Sequence, residues 1–126
     1  VAKILVVDDN PEVRSVIRMI LEKEGYTVEE AINGPKALES VRENKPDLIL
    51  LDVMMPEVDG WKVAKTLKED AMLKDIPICM LTVKSSTLDA LMSMDYAHAD
   101  WHLSKPVDRK ELLRVINDLL AKKKHI

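Results

Sequence analysis

The chain has 126 residues, enough for one domain with a real buried core. Its net charge is -3 with both signs spread along the sequence, which leaves no electrostatic footprint for nucleic acid or a membrane surface. A single cysteine excludes an intrachain disulfide, and no apolar stretch approaches the ~20 residues that span a bilayer, so a cytoplasmic protein is expected.

In chain order, strand-like and helix-like segments alternate. An apolar run, Ile4-Leu5-Val6-Val7, predicts a strand over residues 3–8 that ends in Asp8-Asp9. Asn10 then caps a helix beginning at Pro11, with an apolar stripe of Val13, Val16, Ile17, Ile20 and Leu21, and Gly25 closes it in a left-handed conformation. Residues 26–31 read as a second strand. Asn33-Gly34-Pro35 turns the chain into a helix with Ala37, Leu38 and Val41 inward, and Lys45-Pro46 breaks it. Leu48-Ile49-Leu50-Leu51 predicts a third strand over residues 47–51, running into Asp52. A third helix covers about residues 59–69, with Trp61 packing locally at its start. Pro77 opens a fourth strand, in which Ile78-Cys79-Met80-Leu81 runs into Thr82 and Cys79 is a small buried hydrophobe rather than a reactive thiol. Ser85 or Ser86 caps a predicted fourth helix through about residue 96. A short fifth strand over residues 100–103 leads to Lys105-Pro106. Asp108 caps a last helix carrying Leu112, Leu113, Val115, Ile116, Leu119 and Leu120, whose basic end at Lys122-Lys123-Lys124-His125 is solvated and complements the helix dipole.

Five βα units imply an α/β fold, a parallel sheet with helices on both faces. Short continuous apolar runs are what strands buried on both faces look like. In such sheets ligands bind beyond the carboxyl ends of the strands. Asp8, Asp9, Asp52, Thr82 and Lys105 all stand at those ends. Taken singly, each aspartate is an ordinary cap or turn residue; five reactive groups at matching strand ends argue for a common crevice. Three adjacent carboxylates repel one another unless a cation intervenes, and oxygen-only ligands suit Mg²⁺. A carboxylate can also act as a nucleophile toward phosphorus. Lys105 supplies a positive charge for phosphate oxygens and Thr82 a hydroxyl.

The chain resembles the response-regulator receiver domains of two-component signalling, the chemotaxis-regulator-like phosphoacceptors. The resemblance rests on Val6-Val7-Asp8-Asp9-Asn10, Leu51-Asp52-Val53-Met54-Met55-Pro56, Asp59-Gly60, Leu81-Thr82 and Lys105-Pro106, and covers nearly the whole chain. It implies a flavodoxin-like (βα)5 fold with strand order 2-1-3-4-5, residues 1–126 forming a single receiver domain without an output domain in this chain. It implies Asp52 as the phosphoacceptor, Asp9 as a direct Mg²⁺ ligand, Asp8 assisting through water, and the backbone carbonyl of Met54 as a further ligand. Lys105 would pair with the phosphoryl group, Thr82 would be the switch hydroxyl, and the Lys105-Pro106 bond would be cis.

The implied activity is Mg²⁺-dependent self-phosphorylation from the phosphohistidine of a histidine kinase or phosphotransfer protein, followed by slow autodephosphorylation. That is a switch rather than a turnover enzyme. It would alter the surface formed by the fourth helix, fifth strand and fifth helix, which engages an output protein that the sequence does not name. The domain would be a monomer or an activation-linked dimer. Two rivals stand beside this reading. One is a phosphorylation-independent interaction domain on the same fold. The other is an aspartyl-phosphate phosphohydrolase, which needs an acid/base aspartate two residues after its nucleophile; Met54 occupies that place.

Departures from the family pattern carry their own expectations. His102 stands where the family has Tyr or Phe, so either the ring is tolerated with little pH effect or the switch is weakened or pH-tuned. Val83 follows Thr82 where Ala or Gly is usual, and would either slow access to the site or simply repack. Met54 and Lys84 flank the attacking water and would set phosphate lifetime. The interval from Thr82 to Lys105 is one residue longer than the resemblance implies, His98 stands near the glycine that usually ends the fourth helix, and Met92, Met94, Tyr96 and Trp101 either give the output face apolar character or are buried in the core.

Overall fold

The computed structural model describes residues 2–53, 60–83 and 99–124. Within them lie β1 (Lys3–Val7), α1 (Pro11–Lys23), β2 (Thr27–Ala31), α2 (Gly34–Glu43), β3 (Leu48–Asp52), α3 (Gly60–Glu69), β4 (Ile78–Val83), β5 (Trp101–Lys105) and α4 (Arg109–Lys124). The predicted fourth helix, with Met92, Met94, Tyr96 and His98, falls outside the described residues, as do Met54 and Lys84.

All strand pairs are parallel, and the sheet has the order β2-β1-β3-β4-β5. Two-residue periodicity sorts the apolar runs onto its two faces. Leu5, Val7, Ile49, Leu51, Ile78 and Met80 join Ala37 and Val41 of α2 and Val63, Ala64 and Leu67 of α3 in one buried cluster. Ile4, Val6, Leu48, Leu50, Cys79 and Leu81 join Ile17 and Leu21 of α1 and Leu112, Val115, Ile116 and Leu119 of α4 in the other. β3 is buried at every position, as expected of a central strand.

Helix starts follow the predicted chemistry. The Asn10 side-chain oxygen accepts from the N–H groups of Glu12 and Val13, with Pro11 in the first turn. Asn33 likewise accepts from the Lys36 N–H, and Asp108 from the Glu111 N–H. Gly25 takes the left-handed conformation (φ 92°) that ends α1. Val16 departs from the predicted inner stripe: it is 56% exposed, because it lines a groove that α1 shares with Pro106 and Val107. β5 extends to Lys105 rather than stopping at Leu103, since its ladder with β4 continues through Thr82↔Ser104 and Val83↔Lys105.

Candidate phosphoryl and metal site

The carboxyl ends of β1, β3 and β5 meet in one crevice. Asp8 follows the last residue of β1, Asp52 is the last residue of β3, and Lys105 is the last residue of β5. The Lys105 ammonium donates to Asp8 Oδ2 at 2.9 Å and to Asp52 Oδ1 at 3.0 Å. Asp8 is buried and its Oδ1 accepts from the Asn10 N–H at 2.9 Å, so the residue that caps α1 also orients this carboxylate. Asp52 is 3% exposed, beneath a lysine whose side chain is 28% exposed.

Carboxylate oxygens of Asp8, Asp9 and Asp52 lie within 4.8 Å of one another, and Asp9 is the exposed member. One ammonium facing three carboxylates leaves the cluster negative, which is the electrostatic case for a divalent cation. The donor set fits a hard one: oxygen atoms only, with one solvent-facing carboxylate free of side-chain partners among the described residues. Burial pulls the Lys105 ammonium toward the neutral form, but hydrogen bonds to Asp8 and Asp52 and their charges outweigh it, and its pKa sits above the ordinary lysine value.

Thr82 is buried near the end of β4, one residue past Leu81, which pairs with Asp52. Its hydroxyl donates to the Leu103 carbonyl at 3.3 Å, so it is tied to β5. Two residues N-terminal to Thr82, Met80 is the register partner of His102, whose ring stacks on Trp101 at 6.3 Å between centroids. Among the described residues His102 Nδ1 is buried without a hydrogen-bond partner, and Trp101 is 49% exposed. The Lys105-Pro106 bond is cis, as the resemblance implies.

Two features escaped the sequence. Gly60 packs so closely under the site that an added Cβ would stand 2.1 Å from the Asp52 carbonyl oxygen; the motif Asp59-Gly60 marked the position without its reason. Arg14 donates to the Asp8 carbonyl at 2.6 Å, and nothing in an amphipathic stripe distinguishes it from other solvent-side cations of α1.

A doubly wound parallel sheet with an acidic crevice at its carboxyl edge is a flavodoxin-like α/β domain. Comparison narrows the class. The chain belongs to the response regulator receiver domain family, whose profile matches residues 4–117. Receiver domains are the phosphoacceptor modules of two-component signalling. The chain is 37% identical over 120 residues to protein PilH of Pseudomonas aeruginosa, covering 95% of this chain and 98% of PilH. It is 38% identical over 120 residues to the DNA-binding dual master transcriptional regulator RpaA of Synechocystis, covering 95% of this chain but 49% of RpaA, so it spans about half of that relative. Among solved structures, the signal receiver domain of a signal transduction histidine kinase from Syntrophus aciditrophicus superposes with a TM-score of 0.90 at 34% identity, over 97% of this chain and 92% of that one. These likenesses do not favour the phosphorylation-independent reading.

Proposed function

We propose that Asp52 is the phosphoacceptor of this receiver domain. The observation that carries it is the Lys105 bridge to Asp8 and Asp52, with Asp9 alongside. An Asp52 carboxylate oxygen attacks the phosphorus of a phosphohistidine on a histidine kinase or phosphotransfer protein. The P–N bond breaks, and the imidazole leaves with a proton from solvent. Lys105 exchanges its Asp52 contact for a phosphoryl oxygen. Asp9, Asp52 and the Met54 carbonyl would hold Mg²⁺, with Asp8 joining through water; the ion supplies neutralisation of the charge that builds on the transferred group.

Thr82 then trades the Leu103 carbonyl for the phosphoryl group, and His102, in the switch aromatic position, follows. Val83, Met54 and Lys84 set the phosphate lifetime, which is ended by slow autodephosphorylation rather than turnover. The altered surface, made by the predicted fourth helix, β5 and α4, engages an output protein. This single receiver domain, residues 1–126, acts in the cytoplasm, as a monomer or an activation-linked dimer.

The test is incubation with a small-molecule phosphodonor, followed by intact-mass measurement. Wild type gains one acid-labile phosphoryl group with Mg²⁺ and none with chelator, and Asp52→Asn gains none. A gain retained in Asp52→Asn would refute the assignment.

A further inference from the structure

The backbone of β1 leaves the sheet at Asp8. Its N–H still donates to the Ala31 carbonyl at 3.2 Å, but the register with β2 ends at Val7↔Ala31. The Asp8 carbonyl accepts instead from Arg14 Nη1 at 2.6 Å. The same guanidinium donates through Nε to Glu30 Oε1 at 2.9 Å, and the other Glu30 oxygen accepts from Arg18 at 2.5 Å. Arg14 is thus gripped at two points and its side chain is 13% exposed. A planar guanidinium bonded through two nitrogens fixes direction as well as distance.

The peptide that Arg14 grips joins Asp8 to Asp9. Rotating that peptide would turn Asp9, the exposed member of the cluster, away from Asp8 and Asp52, which Asn10 and Lys105 hold. We infer that Arg14, anchored by Glu30, is a positioning residue that holds the Asp8–Asp9 peptide so that the three carboxylates converge on one divalent cation. The inference rests on the metal reading given above.

Two effects of removing Arg14 oppose each other. Deleting a cation near an acidic pocket would tighten metal binding; releasing the peptide would weaken it. Geometry wins, because the guanidinium touches a backbone carbonyl rather than a metal-binding carboxylate, and Glu30, which it shares with Arg18, offsets part of its charge.

Titration calorimetry with Mg²⁺ separates these outcomes, run beside thermal unfolding in chelator so that only folded protein is compared. Arg14→Ala and Arg14→Lys should both bind Mg²⁺ about tenfold more weakly, the usual scale for losing a partner that orients a ligand. Lysine keeps the charge and the aliphatic stem but loses the fork, so a role in charge or packing alone would leave Arg14→Lys unaffected. Glu30→Ala should weaken binding in the same direction, and the Arg14→Ala/Glu30→Ala double variant should be no worse than Arg14→Ala. Arg18→Ala, which loses its ion pairs to Glu22 on the same helix and to Glu30 on β2 but no contact with Asp8, should keep wild-type affinity. If Arg14→Ala does not fold, Arg14→Lys and Glu30→Ala decide. Wild-type or tighter affinity in Arg14→Lys would overturn the inference alone; a wild type that takes up no Mg²⁺ would overturn it together with the metal assignment.

Discussion

An added methyl at Gly60 would meet the Asp52 carbonyl oxygen at 2.1 Å and the Val53 Cα at 3.0 Å, both backbone atoms with no rotamer to yield. Gly25 is the opposite case: its φ of 92° disfavours any Cβ, yet nothing lies within 4 Å of one. Gly60→Ala should therefore cost about 1–3 kcal/mol by overpacking and also slow phosphorylation, because the displaced backbone belongs to the proposed acceptor, Asp52. Gly25→Ala should cost about 1–2 kcal/mol through the left-handed conformation and leave the phosphorylation rate unchanged. Urea denaturation and the rate of mass gain measure both; equal phosphorylation rates in the two variants would remove Gly60 from the site. At this scale the meeting of Asp8, Asp9, Asp52 and Lys105 was legible, since each stands at the end of a strand-like run. The close approach at Gly60 was not, because it depends on how α3 settles beneath β3.

Between elements, β2 is tied to α1 by ion pairs as well as by Val28 packing with Ile17 and Leu21. Glu30 on the edge strand meets Arg14 and Arg18. Its hydrogen bond from Arg18, chiefly, and that from Arg14 outweigh its burial and hold its pKa below the ordinary glutamate value. A depressed carboxylate contributes stability that is present above the unfolded-state pKa, about 4.3, and lost as pH falls through the folded value. Wild type should thus exceed Glu30→Gln in urea midpoint at pH 6, with the gap closing as pH drops below about 4. A gap constant from pH 6 to 3 would show that Glu30 acts through shape alone. Sequence pattern located β2 and α1 but not this link, for consecutive glutamates at an edge read only as alternation. Here they diverge, Glu29 to Lys3 and Asn44, Glu30 to α1. The ends of β3 and β5 were also read short, because a ladder can continue through Asp52 and Lys105 when neighbours supply register partners.

For the whole molecule, the order of the sheet places β3 and β4 inside it, and Cys79 on β4 reports on that interior. Burial, ahead of nearby Asp100 and Glu111, pushes its thiol far above the ordinary range. A thiol reagent at pH 8 should leave the native protein unlabelled, with labelling rising only as urea unfolds the domain; prompt native labelling would mean that β4 opens locally. The fold class was legible because five strand-like segments alternate with amphipathic helical ones. The strand order was not contained in that alternation and came with the family resemblance. Among the described residues the two clusters flanking the sheet share no side chain. Losses incurred on opposite sides should therefore sum with little cross-talk. A lineage can rework the flank under α2 and α3 while the one under α1 and α4 stands still, so that recognition can drift on one side without retuning the other.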